Sequence, residues 1–195
     1  MNFTIRPGKA YQIPQFTKLW LSLMEEHEAL LPHYFSNYRR MIRRYEQTLM
    51  HAVDSDYRWV IAAARQRSVL GFITVYIDDH PSMYHLNRVG FLGDVIVHAD
   101  YRGQGIGKAL IDAGIRRLEL AGADLVEGYV LAKNKQMLSF MKGQGFTPQF
   151  VRYSRELSTR QSSGSANDPI MPRKRPAART ARSSVSQILG DLTSE

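Results

Sequence analysis

The chain has 195 residues, 44% of them apolar, and a formal net charge of +8, which suits one globular domain with a sizeable core plus a tail. It contains no cysteine, so disulfides, thiolate metal sites and a cysteine nucleophile are excluded. The longest apolar runs, such as Trp59 to Ala64, are far too short to span a bilayer, and no signal-peptide pattern opens the sequence; a cytoplasmic protein without a membrane segment is expected. Of the net charge, +3 lies from Ser158 onward and the rest before it. A solvated surface with cations gathered around an anionic ligand accounts for this better than a nucleic-acid partner does.

Phe3 to Arg6 alternates apolar and polar and predicts a first strand, closed by Pro7-Gly8. Ile13, Phe16, Trp20, Leu23, His27 and Leu30 then recur at spacings of three and four, which predicts a helix with Pro14 tolerated in its first turn and Pro32 as its stop. A second helix is expected from about Phe35 to Ala52, its stripe formed by Phe35, Tyr38, Ile42, Tyr45 and Leu49 and its other face solvated by Arg39, Arg40, Arg43 and Arg44. His27, on an apolar stripe, reads as a hydrogen-bonded core histidine, and the neighbouring glutamates as an exposed face. The six histidines show no metal-ligand spacing, and no metal site is expected. A hairpin follows, with strands at Arg58 to Arg65 and Val69 to Asp78, and then a polar loop from His80 to Asn87.

The stretch from Phe91 to Leu110 carries most of the chemistry. An apolar, β-branched segment from Leu92 to Val97 runs into a turn holding Arg102, Gly103, Gln104, Gly105, Ile106, Gly107 and Lys108, after which apolar residues return at helical spacing at Ile106, Leu110, Gly114, Leu118 and Ala121. This predicts strand, glycine loop, helix. The first turn of a helix leaves backbone N–H groups unpaired at the positive end of the helix dipole, a ready site for an anion. Three glycines remove Cβ atoms where a ligand must approach the backbone, and Arg102 and Lys108 add charge. A triphosphate-binding Walker loop is ruled out, because Arg102 and Ala109 stand where it needs Gly and Ser or Thr. A dinucleotide fingerprint has different glycine spacing and an earlier place in the chain.

The pattern Arg-x-x-Gly-x-Gly, met as Arg102, Gly105 and Gly107 behind the strand Asp94-Val-Ile-Val, resembles the pyrophosphate motif of the GCN5-related N-acetyltransferase family. A second family feature follows at the family's usual distance: a strand over Leu125 to Leu131, Asn134, a short helix to about Lys142, and Gly145-Phe146 opening a last strand to about Leu157. The resemblance implies an α/β fold with a mixed, mostly antiparallel sheet flanked by helices, spanning residues 1–157 as an acetyltransferase domain. It implies acetyl-CoA as co-substrate and a primary amine of a small molecule or protein as acceptor, attacked directly in a ternary complex. By the same resemblance, loop amides are expected to hold the diphosphate, Val95 and Val97 to bind the pantetheine arm through their backbone with Asn134 on its other side, and a backbone N–H at Val95 or Ile96 to receive the oxyanion. Each charge-assisted hydrogen bond contributes about 1.5–3 kcal/mol against an association cost of about 4–15 kcal/mol, so the strand contacts are needed as well as the loop. The resemblance also places Glu28, His33 and Tyr34 in the region that forms the acceptor pocket.

An alkylamine with a pKa near 10.4 needs a base to be a nucleophile at neutral pH. Asp94, a carboxylate in an apolar strand, is the candidate catalytic residue, since such a group is costly unless paired or used; a structural partner such as an arginine would satisfy it equally. Glu127 and Tyr129 are alternatives. Many family members carry a tyrosine seven residues after the asparagine to protonate the departing thiolate, and here Met141 stands there. A thiol of pKa about 8.5 leaves tolerably unaided, and Tyr129, Tyr153 or water are substitutes; an acyl-CoA-binding regulator with little turnover is the second reading. From Ser158 the sequence turns to Ser, Arg, Pro and Ala and is expected to be disordered. Its Pro172-Arg-Lys-Arg-Pro176 run offers a possible contact to nucleic acid, though a solvated linker is the simpler reading. The acceptor's identity and the oligomeric state are not legible.

Overall fold

The computed structural model describes residues 2–32, 34, 35, 37–79, 86 and 88–155. Residues 1–146 form one compact unit. Its frame is a five-stranded sheet in the order β1 (Thr4–Pro7), β2 (Arg58–Arg65), β3 (Ser68–Asp79), β4 (Arg88–Val97) and β5 (Leu125–Gly128). The first four strands pair antiparallel and β4 pairs with β5 in parallel. This is the mixed, mostly antiparallel α/β architecture expected from the sequence.

Alternate residues of the strands feed two apolar layers. On one face, α1 (Ile13–Leu30) and α2 (Ile42–Val53) cover Val60, Ala62, Phe72 and Ile96 with Phe16, Trp20 and Leu49. On the other, α3 (Ile106–Leu120) and α4 (Lys135–Gly143) cover Ile61, Ala63, Ile73, Val75 and Leu92 with Ile106, Leu110, Leu118 and Met141. Ile13, Phe16 and Trp20 of the predicted α1 stripe are buried, joined by Thr17, Leu19 and Met24 where Leu23, His27 and Leu30 were expected and are only half-buried; Pro14 lies inside the first turn, where its missing N–H costs nothing. The second helix opens as a 3₁₀ turn, Tyr38–Met41, before the α-helix proper. Its first residues carry no acidic side chain and no side-chain cap, so nothing in the sequence draws the helix back to Phe35.

The strand β4 contains one extra residue. Ile73 pairs with Val95 but Val75 pairs with Leu92, leaving Gly93 and Asp94 opposite Thr74 alone, a β-bulge. The amide of Asp94 is not orphaned by this irregularity, because its N–H donates to Thr74 Oγ1 at 2.9 Å. Further along, β3 and β4 lie so close that a Cβ built on Gly71 would stand 2.6 Å from the Ile96 carbonyl oxygen. Backbone cannot yield as a side chain can. Gly71→Ala is therefore expected to cost about 2–3 kcal/mol, a fall in melting temperature of about 4–12 °C for a domain of this size; calorimetric melting checks it, and an unchanged transition contradicts the close approach.

Two expectations fail at the C-terminal end. β5 closes at Gly128, three residues short of Leu131, and no strand forms over 146–155. Pro148 cannot donate to a ladder, and Phe150, Val151 and Tyr153 are exposed. Thr147–Glu195 forms a second unit, whose described part, 147–155, carries neither helix nor strand. Most of the loop from His80 to Asn87 and the basic run beyond Ser158 lie outside the described residues.

Candidate active site

At the end of β4 the chain makes a 3₁₀ turn, Ala99–Tyr101, whose first amides are caught by His98: its Nδ1 accepts from the Asp100 N–H at 3.3 Å. Gly103 and Gly105 then take φ of +73° and +80°, left-handed values that other residues adopt only at a cost. Gly105 is the N-cap of α3. Among the described residues the backbone N–H groups of Gly105, Ile106, Gly107 and Lys108 donate to no protein acceptor, and the helical ladder begins with the Ala109 N–H bonded to the Gly105 carbonyl at 3.0 Å. Four amides thus converge where the helix dipole is positive.

The side-chain charges expected to assist them are engaged elsewhere. Arg102 donates from one guanidinium nitrogen to Glu26 of α1 and through Nε to the Val97 carbonyl at 3.1 Å. Lys108 Nζ lies 2.8 Å from Asp112, and Gln104 Nε2 donates to the Asp100 carbonyl at 3.3 Å. The loop's offer to an anion is its amides. Glu26 was read from the sequence as part of an exposed face; nothing in that face signalled a partner 76 residues away.

Next to the loop the sheet opens. β4 and β5 pair only as far as Leu92 and Gly128, so the outer edge of β4 beyond that point has no β5 neighbour. The direction of its amides follows from the ladder. His98 N–H donates to the Leu70 carbonyl at 2.8 Å, and in an antiparallel pair successive residues turn alternately toward and away from the partner. Ile96 therefore faces β3, while Val95 and Val97 present their backbone groups to the gap. The Val97 carbonyl, which accepts from Arg102, agrees. Of Val95 and Ile96, the two residues expected from the resemblance to offer an oxyanion donor, Val95 is the one whose N–H faces the gap.

Asn134 caps α4: its Oδ1 accepts from the Met137 N–H at 3.0 Å, and its amide nitrogen has no partner among the described residues. Met141 is buried, with its Cε 3.7 Å from the point a Gly128 Cβ would occupy, the place where β4 and β5 part. Phe140 lies 3.5 Å from the corresponding point on Gly107. Where the resemblance implies a tyrosine hydroxyl, this chain puts a thioether.

Asp94 sits on the α1/α2 face of the sheet and makes no ion pair among the described residues. Its Oδ2 accepts from the Tyr45 hydroxyl of α2 at 2.8 Å, and Trp20 of α1 stacks on Tyr45 with ring centroids 4.2 Å apart and planes 15° from parallel. The partner that the sequence left open is thus a neutral phenol. Burial pushes the Asp94 carboxyl above its ordinary range, opposed by the Tyr45 hydrogen bond and by His27 nearby. Burial and the adjacent carboxylate push the Tyr45 hydroxyl far up, so it stays protonated and donates. His27 is held below its ordinary pKa by burial, with Asp94 and Glu26 pulling the other way. Its expected hydrogen bond is not made: Nδ1 is buried without a partner among the described residues, and its ring packs on Phe35. Tyr45 was visible in the sequence only as one apolar-stripe position.

Beside Asp94 is a cavity of about 190 Å³ lined by Tyr45, Thr48, Arg58, Thr74, Tyr76 and Gly93, among others. Glu28 and Tyr34 do not line it, and His33 lies outside the described residues. Tyr76, Phe91 and Tyr129 form a ladder of near-parallel rings at 5.2 and 6.2 Å on the same face. Glu127 stands opposite Phe91 on β5, and Tyr129 is exposed; neither lines the cavity.

A strand whose open edge leads to a left-handed glycine turn and four free helix amides joins an anion site to an unpaired strand edge. The chain belongs to the acetyltransferase (GNAT) family, whose model matches residues 17–146. Among curated relatives it is 28% identical over 154 residues to an uncharacterized N-acetyltransferase of Methanocaldococcus jannaschii, covering 73% of this chain and 63% of the relative. It is 27% identical over 95 residues to an aminoalkylphosphonate N-acetyltransferase of Salmonella typhimurium, covering 49% of this chain and 60% of the relative. The chain thus spans under two thirds of the length of these relatives. The fold is shared with the F44R mutant of the BH1408 protein from Bacillus halodurans, with a TM-score of 0.70 at 18% identity over 79% of this chain and 99% of that one. It is shared too with an aminoglycoside N-acetyltransferase solved with a CoA-linked bisubstrate analogue, at a TM-score of 0.61, 18% identity, and coverage of 80% and 99%. No helix among the described residues is long and apolar enough to cross a membrane, and no cluster of potential metal ligands occurs among them.

Proposed function

We propose that this chain transfers the acetyl group of acetyl-CoA to the primary amine of a small molecule. The observation that carries the proposal is the continuity between the outward backbone groups of Val95 and Val97 and the four unpaired amides of Gly105 to Lys108. A diphosphate fits the amide cluster and an extended amide-bearing arm fits the strand edge. Asn134, from the far side of the gap, has its amide nitrogen left to donate to that arm. The Val95 N–H receives the charge that develops on the thioester oxygen. Asp94, next in the strand and facing the cavity, accepts the proton that the amine must lose. A carboxylate whose pKa is raised toward neutrality is a better proton acceptor than an ordinary one. As the N–C bond forms the C–S bond breaks, and the sulfur leaves as thiolate past Met141. The named Salmonella relative and the aminoglycoside enzymes sharing the fold act on small amines, in keeping with a cavity of this size.

Incubation with acetyl-CoA and a panel of amines tests this, with thiol release and acetylated product as readouts; no product from any amine or peptide overturns it. Met141 favours one second reading, an acyl-CoA-binding regulator, in which the same protein binds CoA tightly and releases no thiol.

A further inference from the structure

Arg58 opens β2 at the opposite end of the cavity from Asp94. It pairs in register with Tyr76, two residues along β3 from Thr74, which faces the bulge holding Asp94. Two strand spacings and two residues of rise separate the Cα atoms by roughly 12 Å, and both side chains line the space between. The guanidinium lies over the rings of Tyr76 and Tyr57 at 4.8 and 5.9 Å from their centroids. A cation over ring faces is held there by the ring quadrupoles while its N–H groups remain able to donate. Other arginines near the helices are matched with carboxylates, Arg39 with Glu25 and Arg102 with Glu26. The Arg58 guanidinium, with five donors, has no hydrogen-bond or ion-pair partner among the described residues. Asp78, on the same face of β3, makes no ion pair with it.

Resting on the transferase reading above, we infer that the acceptor is a small amine that also carries an oxyanion, a carboxylate or a phosphoryl-type group, with its nitrogen at Asp94 and its anion at Arg58. The cavity holds one acidic and one basic group at opposite ends, with Tyr45, Tyr76 and aliphatic carbons between them, which matches a short zwitterion. Its volume of about 190 Å³ is many times the room that a single water needs, enough for an amino-acid-sized molecule. A polycation would meet an unneutralised guanidinium at the entrance, and a simple alkylamine would leave that guanidinium unused.

The test compares kcat/KM for matched amines: propylamine, β-alanine, 2-aminoethylphosphonate and a polycationic aminoglycoside. The anion-bearing amines are expected to lead, with β-alanine against 2-aminoethylphosphonate telling carboxylate from phosphonate. In Arg58→Gln the preference for anionic over neutral amine falls by roughly 10- to 100-fold, carried in KM, and Arg58→Lys restores part of it because charge returns without the planar fork. Preference for the neutral or polycationic amine, or a preference unmoved by Arg58→Gln, overturns the inference. Calorimetric titration of the same amines into the CoA-loaded protein separates the two readings. Selective binding of anionic amines without thiol release sinks the transferase reading and keeps the zwitterion site; turnover without charge preference does the reverse.

Discussion

Replacing Asp94 by Asn is expected to lower the rate of acetyl transfer by about 10²–10⁴-fold, the usual contribution of a positioned proton acceptor, while CoA affinity is retained. The pH profile makes the expectation specific. Burial holds the Asp94 carboxyl above the ordinary carboxylate range, against the pull of Tyr45 and His27. Activity of the native protein should therefore fall, as pH drops, at a pH higher than the ~4 of a free aspartate. In Asp94→Asn that acidic limb vanishes, and what remains is the rise toward the amine's own pKa near ~10.4. Stability moves the other way. A carboxyl whose pKa is raised in the folded state binds its proton more tightly there than in the unfolded chain. Its contribution to stability is full below the unfolded pKa and is lost as pH rises through the folded one. Above its folded-state pKa the ionised, buried Asp94 is thus a burden on the fold that Asn relieves, and there the variant should melt no lower than the native protein. A variant that keeps its activity and its acidic limb removes Asp94 from the mechanism; one that merely unfolds early makes it structural.

The second large effect is expected at the glycine turn. Gly105 has φ of +80°, and a left-handed conformation costs an ordinary L-residue about 1–2 kcal/mol and a β-branched one more. A Cβ there meets no protein atom within 4 Å, so Gly105→Val strains the backbone and fills the approach to the amides without disturbing the core. If two amide-to-phosphate bonds are lost or misaligned, at about 1.5–3 kcal/mol each, the dissociation constant for CoA rises by 10²-fold or more, with only a few degrees lost in melting temperature. Isothermal titration with CoA reads this directly. Unaltered affinity would remove the turn from the binding site.

The two parts of the site differ in how far they could be read from the chain. The turn is local: glycines at fixed offsets between an apolar strand and a helical stripe dictate conformation within a dozen residues, and the φ values of Gly103 and Gly105 follow. What surrounds it is not local. The Glu26–Arg102 pair, the phenol of Tyr45 over Asp94 and the guanidinium of Arg58 across the cavity join elements far apart in sequence, and a helical stripe gives Tyr45 the same appearance as a core tyrosine. Asp94 could be singled out because an ionised group in an apolar strand demands an explanation, though not which one. The error at Phe146 to Leu157 has the opposite cause. The strand there was expected from the family resemblance, but pairing depends on a neighbour with free edge groups, and composition does not reveal one.

The extra residue in β4 decides more than local twist. Phe91, stacked on Tyr76, and Asp94, bonded to Tyr45, share one face, while Leu92 and Val95 pack on the other. Odd positions look toward α1 and α2 before the bulge and even positions after it. Had the strand kept an even count, position 94 would have pointed with Leu92 into the aliphatic layer of Leu110 and Leu118, where a carboxylate finds neither phenol nor cavity. The parity of a single strand thus decides which side of the sheet carries the carboxylate and which stays wholly aliphatic at that position.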